Sequence, residues 1–366
     1  MAVIHVVSVS GGKDSTATLL LALGRVPRER IRPIFCDTGN EHAAVYEYLD
    51  YLEQALDVTI TRLRADFSEQ IARKREFVAG DDRVGREYDT IDIEDAAGNP
   101  VWVRDGFGRL RFKIKKKSGA LYCALVQKTK KVGSGHRKRW SNKAKRRALA
   151  VLHPTGIPFL DLCLWKGRFP SRTGQFCTEE LKRNIAVAYQ LDLVDSGHRI
   201  ISWQGVRRDE SRERSDAKKM ERIGPAMWAF RPLVEWSAGD VFSCCADHSI
   251  QPNPLYLQGC SRVGCMPCIN ISKEELRTIS VRWPEELRRL AWWELLVSQA
   301  SKRGFSTFFH KGPGENGKGT PQATFHAANV WQVVQWSRTT RGGRQFDLLA
   351  DLDEPTACAS SYGLCE

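Results

Sequence analysis

No run of about eighteen consecutive apolar residues occurs anywhere in the 366-residue chain, which excludes a membrane-spanning helix of ordinary length. Residues Met1 to Ser8 lack the basic start, the long apolar stretch and the small-residue cleavage site of a secretory leader. They read as a buried strand instead, and these absences together predict a cytoplasmic protein without a membrane partner. Acidic residues are missing from Arg111 to Arg147, where 15 Lys and Arg occur. The net charge of the whole chain is +13, so this segment accounts for more than all of it. No internal repeat is visible. An even cysteine count is lacking too: eleven cysteines, with no export signal, argue against a complete disulfide framework and for thiols that serve as metal ligands or redox groups.

What is present alternates. Val3 to Ser8 is a β-branched run, Ser15 to Leu23 is apolar at helical spacing, Ile31 to Phe35 is a second short strand, and Ala43 to Leu56 a second helix with Tyr46, Leu49, Leu52 and Leu56 on one face. Such alternation predicts an α/β fold, a doubly wound parallel sheet with helices on both faces and ligands at the carboxyl ends of the strands. The pattern breaks in a basic insertion over 80–150 and returns with Arg199 to Trp203, a strand ending in Gly205. The expected organisation is therefore the N-terminal half of a nucleotide-binding domain over 1–79, the insertion, the rest of that domain over 151–275, and a helical region with a cysteine-bearing tail over 276–366. A Gly-rich stretch, Gly312 to Gly319, interrupts the last region.

The first strand runs into Ser10-Gly11-Gly12-Lys13-Asp14-Ser15. Two glycines permit a sharp turn that exposes backbone amides, the helix N-terminus adds partial positive charge, and Ser10 and Ser15 add hydroxyls. This arrangement suits a pyrophosphate. Lys13 can neutralise oxygen charge, and Asp14 can orient Lys13 or help hold Mg²⁺. The spacing differs from a Walker A loop and resembles the PP-loop of the adenine nucleotide α-hydrolase superfamily, whose members typically split ATP between the α and β phosphates or bind an adenylyl sulfate.

Three further segments resemble the phosphoadenosine phosphosulfate (PAPS) reductase family within that superfamily. They are Asp37-Thr38-Gly39 after the second strand, Gly205-Val206-Arg207-Arg208-Asp209-Glu210-Ser211-Arg212, and Arg231-Pro232-Leu233-Val234-Glu235-Trp236-Ser237-Ala238-Gly239-Asp240-Val241-Phe242. The resemblance implies that Asp37, Thr38 and Gly39 lie against the nucleotide and that Arg207 and Arg208 face phosphate or sulfate. Two adjacent guanidinium groups after a strand also suit bidentate grip of a tetrahedral oxyanion. Trp236 reads as a packing residue.

Cys260, Cys265 and Cys268 fall within nine residues of a turn-rich segment, close enough to converge on one metal with a fourth ligand from elsewhere. The resemblance implies that Cys177 completes the set and that the centre is a [4Fe-4S] cluster. The spacing alone leaves structural zinc open. The family's reductases have a cysteine pair upstream where Cys177 stands alone. They also end in Glu-Cys-Gly around a catalytic cysteine, whereas this chain ends Leu364-Cys365-Glu366. Cys365 is the corresponding candidate, and Cys358 with it could form a redox pair. Cys244 and Cys245 read as buried in a helix.

The cations from Arg111 to Arg147, with Phe112, Tyr122 and Trp140 among them, suit a nucleic-acid backbone with bases stacked on aromatics. Three readings follow. The first is ATP-dependent adenylylation of a nucleic-acid target for sulfur insertion, with a sulfur donor. The second is a PAPS or adenylyl sulfate reductase releasing sulfite and regenerated by a thioredoxin-like thiol. The third is a non-catalytic nucleotide sensor.

Overall fold

The computed structural model describes residues 2–117, 120–210, 214–309 and 319–339. Cys358 and Cys365, Ser211 and Arg212, and Gly312 to Lys318 lie outside the described residues. The chain divides into two compact units, one formed by Met1–Glu76 with Arg146–Glu366 and the other by Phe77–Lys145.

In chain order the first elements are β1 (Val3–Ser8), α1 (Lys13–Leu23), β2 (Ile31–Asp37), α2 (Ala43–Leu56), β3 (Thr61–Arg64) and α3 (Ser68–Gly80). Then come β4 (Arg86–Asp92), β5 (Phe112–Lys117), β6 (Ala120–Leu125), β7 (Thr129–Arg137) and α4 (Asn142–Val151). The remaining helices of the middle part are α5 (Pro158–Lys166), α6 (Phe176–Thr178) and α7 (Asn184–Asp195), with a wide i→i+5 turn at Glu179–Arg183 joining the last two. They are followed by β8 (Arg199–Trp203), β9 (Met220–Gly224), β10 (Met227–Phe230), α8 (Ala238–Asp247), α9 (Pro254–Leu257), α10 (Lys273–Arg282), α11 (Pro284–Ala300), α12 (Pro321–Ala328) and α13 (Val330–Ser337).

The larger unit holds a six-stranded sheet in the order β3-β2-β1-β8-β10-β9. All neighbours are parallel except β10 and β9, which pair antiparallel at the edge. Parallel strands need helical crossovers, and the residues inside them must be apolar on both faces. Ile4, Ile200 and Met227 stand in one row across β1, β8 and β10 and, with Val6 and Ile34, pack against Ala186, Tyr189, Leu193 and Val194 of α7. Complete burial of each large aliphatic side chain stabilises the fold by about 1.5–3 kcal/mol. By the pleat's alternation the opposite face presents Val7, Phe35 and Trp203, all buried, and α1, backed by α8, covers it.

Strands β1, β2 and β3 proceed outward in one direction, and β8 then starts the other half from beside β1. The sheet reverses between β1 and β8, so the crevice beyond their carboxyl ends is where a ligand belongs in this architecture. In α2 the buried stripe is Val45, Tyr48, Leu49 and Leu52. Tyr46, expected on that face, is half-buried because its hydroxyl donates to Asp37 (2.8 Å).

The C-terminal helices close around a buried carboxylate. Glu294 of α11 accepts the amides of Phe308 (2.8 Å) and Val330 (3.0 Å). The second bond meets the first residue of α13, where an anion is stabilised by the exposed amides of a helix start.

The Phe77–Lys145 unit is built from paired ribbons. β4 pairs antiparallel with β7, and β5 with β6. At its base the Asp81 carboxylate accepts from Arg83 (2.7 Å) and from the Trp140 amide (2.7 Å), while Lys145 donates to the carbonyls of Ala79 and Asp81. On β5 the side chains of Phe112 to Lys116 are exposed on both faces, so burial leaves little pattern in the sequence here.

A ten-residue repeat, absent from the sequence reading, emerges between β4 and β5. Asp95 and Asp105 each open a tight turn in which the carboxylate accepts two amides, from Ala97 and Asn99 (both 2.9 Å) and from Phe107 (2.9 Å) and Arg109 (2.8 Å). Gly98 and Gly108 follow at φ of +79° and +78°, a conformation that glycine adopts without penalty.

Candidate active site

The site grows from the step out of β1. Gly11 has a φ of +72°, and a Cβ there would lie 3.1 Å from Val45 Cγ1, so the turn requires glycine on both counts. The Ser10 amide donates to Ser15 Oγ (3.0 Å), and Ser15 Oγ donates to the Gly12 carbonyl (2.8 Å), closing the loop on itself. Asn253 donates to the Gly11 carbonyl (3.2 Å), and the Lys13 amide donates to the Tyr256 hydroxyl (3.0 Å). The loop of the first strand is thus braced by α9.

Lys13 is buried, with Nζ 3.4 Å from Asp14 and 5.5 Å from the centre of the Tyr256 ring. The other Asp14 oxygen pairs with Nε of Arg207, whose side chain is only 5 % exposed. Both oxygens of Asp14 are therefore engaged by cations. Gly205 allows this approach: a Cβ on it would stand 2.8 Å from the Asp14 carbonyl oxygen. The two adjacent arginines part. Arg207 also meets Asp209 (2.5 Å), whereas Arg208, 43 % exposed in its side chain, donates to the Ala217 carbonyl and lies 3.6 Å from Glu235. They do not form one clamp.

Beyond β2, Asp37 accepts from the Gly39 amide (2.8 Å) and Tyr46, and Gly39 (φ +70°) leaves no room for a Cβ against Pro158. Thr38 donates to Glu41 (2.7 Å) and lies 3.5 Å from the sulfur of Cys265. Glu41 and Cys265 also form an isolated antiparallel bridge, and Met266 donates to the Asn40 carbonyl (2.7 Å). The Asp-Thr-Gly turn and the cysteine segment are thereby one structure.

Three of the four cysteines proposed as metal ligands share a neighbourhood. Cys177 and Cys265 each feel the charge of Cys268, and all three cysteines act on Lys182. Burial pushes the Cys265 thiol up to about 12, while Lys182 pulls it down and Glu41 pushes it further up. The Cys265 thiolate, foremost among its neighbours, raises Lys182. Cys36 joins the edge of this group, its sulfur 3.6 Å from the Lys182 carbonyl. Cys260 does not: it is fully buried, and its charged neighbours are Glu275 and Arg282. The expected four-thiol set is not assembled, because Cys260 turns beneath α10 before the chain reaches Cys265. Among the described residues no group of three His, Cys, Asp or Glu side chains is gathered closely enough for a metal ion, so the residues as placed do not fit a four-cysteine centre. Lys182 escaped the sequence reading; its spacing from Cys177 within one helical stretch was the available signal. Cys244 and Cys245 are buried in α8 as expected.

A parallel sheet with a glycine-turned anion loop at its reversal point and an Asp-Thr-Gly turn on the next strand defines an α/β protein of the PP-loop class. The chain matches the phosphoadenosine phosphosulfate reductase domain over residues 4–91 and 159–271, more than half its length, and it belongs to the PAPS reductase family. It is 41 % identical over 371 residues to an uncharacterised 37.8 kDa protein in the gpa 5′ region of Escherichia phage 186, covering 99 % of this chain and 97 % of that one. An adenosine 5′-phosphosulfate reductase of Neisseria meningitidis serogroup B is 30 % identical over 90 residues, 24 % of this chain and 33 % of the reductase. A Candida auris PAPS reductase solved as a phosphate complex aligns with a TM-score of 0.36 and 12 % identity, over 73 % of this chain and 83 % of that one. Among the described residues no helix is long and apolar enough to cross a membrane.

Proposed function

We propose that the protein is an adenylyl-transferring enzyme that replaces an oxygen of a nucleic-acid target by sulfur. The observation that carries this reading is the adjacency of an anion loop holding a buried Lys13 to a turn, Asp37 to Glu41, that is bonded directly to Cys265. A nucleotide seated on Ser10 to Ser15 and against Asp37, Thr38 and Gly39 would present its α-phosphate towards thiols.

In the first step the acceptor oxygen attacks the α-phosphorus of ATP, and pyrophosphate leaves with its charge balanced by Lys13, which Asp14 and Arg207 hold in place. In the second, a persulfide carried on one cysteine attacks the activated carbon, and AMP leaves with the oxygen. A neighbouring thiol then attacks the carrier sulfur, freeing the thiolated product and leaving a disulfide for an external dithiol to reduce. Cys177, Cys265 and Cys268 provide the carrier and the resolving thiol. The Phe77–Lys145 unit, whose composition is strongly basic, supplies attraction for a polyanion that a small sulfonucleotide would not need.

The second reading, a reductase that releases sulfite from PAPS or adenylyl sulfate, draws on the adenosine 5′-phosphosulfate reductases among the relatives. Both are tested on the full chain purified without oxygen, given α-labelled ATP in one arm and sulfur-labelled PAPS in the other. AMP and pyrophosphate, increased by nucleic acid and lost in Lys13→Ala, support the first reading. Sulfite from PAPS with no ATP cleavage replaces it by the second.

A further inference from the structure

The two Asp-opened turns of the Phe77–Lys145 unit are built alike, yet they carry different residues at the same place. Ala97 and Phe107 occupy equivalent positions, each donating its amide to the turn's aspartate at 2.9 Å. The turn therefore forms with alanine there and has no need of an aromatic ring. Phe107 is nevertheless 88 % exposed, so its ring adds almost nothing to the hydrophobic stabilisation of the fold. Its neighbour Gly106 has no side chain to cover it. Its position is fixed by the two amides on Asp105, by Gly108 and by Arg104, which donates to the Gly108 carbonyl (2.8 Å).

Along the sequence from Arg104 to Lys117 the charge is of one sign, apart from the Asp105 carboxylate that the turn consumes. Arg104, Arg109 and Arg111 lie within four residues of Phe107, and Lys113 and Lys115 continue along β5. An exposed aromatic on a fixed turn, flanked in sequence by arginines, matches a base step between phosphates. The cations hold the backbone, and the ring enters the stack where a base has been unstacked.

We propose that Phe107 is a wedge that inserts into duplex nucleic acid and opens one base step, giving access to the base to be modified. This rests on the nucleic-acid reading of the protein and adds to it a specific contact and a distortion of the duplex. An enzyme that reacts at a base edge must expose that base, and a side chain that fills the gap lowers the cost of doing so.

The experiment uses the full-length protein and DNA and RNA duplexes carrying 2-aminopurine, whose fluorescence rises on unstacking, with binding followed by anisotropy in the same samples. The wild type is expected to raise the reporter signal several-fold. Phe107→Ala should lose most of that rise while weakening binding about tenfold or less, Phe107→Trp should restore it, and Ala97→Ser in the sister turn should change nothing. Salt-sensitive binding with no rise in the wild type, or a rise that survives in Phe107→Ala, overturns the wedge and leaves the nucleic-acid reading standing. No binding to either duplex at low salt overturns both. Binding to anionic phosphatidylglycerol vesicles that depends on Phe107, without a duplex response, assigns the ring to a membrane and overturns the proposal.

Discussion

Arg207, set at the end of β8, holds the carboxylate of Asp14 in the first turn of α1, and so ties together the two strands between which the sheet reverses. Breaking one side of a largely buried ion pair leaves the other charge without compensation. Arg207→Ala is expected to lower stability by roughly 3 kcal/mol and to release Asp14 from its place beside Lys13. Arg208→Ala, at an exposed side chain, should stay within about 0.5 kcal/mol of the parent. Urea unfolding of both variants checks the contrast, and equal losses would contradict the separation of the two arginines.

Gly205 makes the same junction possible through backbone contact. Its missing Cβ would overlap the Asp14 carbonyl at 2.8 Å, and neither side of the contact is a flexible side-chain end. Gly205→Ala should cost about 1–3 kcal/mol as an overpacking change and reduce nucleotide affinity with it. Gly239→Ala, where the nearest atom is the Ser237 hydroxyl at 3.6 Å, serves as the control.

Lys182 is the cation that favours a thiolate at Cys265. Its replacement in Lys182→Gln should raise the Cys265 thiol further and slow alkylation by iodoacetamide at pH 8.5 several-fold, because the thiolate is the reacting form. The exposed Cys123 should react at an unchanged rate. Peptide mapping should also find Cys177 and Cys268 labelled in the native protein and the fully buried Cys260 and Cys163 protected.

Glu294 gives a pH dependence of defined sign. Burial raises its carboxyl to about 7 from 4.5, so between those values the folded chain keeps a proton that the unfolded chain has released. Its contribution to stability is greatest below 4.5 and falls as pH rises through 7, by an amount on the order of 3 kcal/mol. Glu294→Gln removes the titration. Its stability relative to the parent should improve between pH 5 and pH 8, and a constant difference in urea midpoints would refute the assignment.

How much of this could be read beforehand differs from one element to the next. β1, α2 and β8 were legible to the residue because β-branched runs and a 3.6-residue apolar period directly express burial on a sheet or beneath a helix. The loop at Ser10 to Ser15 and the turn at Asp37 were legible because glycine at a positive φ leaves a mark in sequence. Grouping of the cysteines was not: Cys260 lies five residues from Cys265, but separation along a turn-rich chain does not fix side-chain direction, and Cys260 belongs to the core. Arg207 and Arg208 erred in the same way, adjacent in sequence and opposed in space. The twin turns at Asp95 and Asp105 went unseen because Asp and Gly at fixed offsets are their only shared residues.

The wide turn at Glu179–Arg183 has a consequence for the thiol group. In a continuous α-helix each residue turns the chain by about 100°, and an i→i+5 turn accommodates one residue more than the α pattern would hold. Cys177 precedes it, while α7, pressed onto Ile4 and Ile200, follows it. A single surplus residue therefore sets the compass bearing of Cys177 about the helix axis. Deletion of one residue from this turn would swing that sulfur about a quarter-turn around the helix axis, so the placing of Cys177 depends on an irregularity in a helix as much as on the cysteine itself.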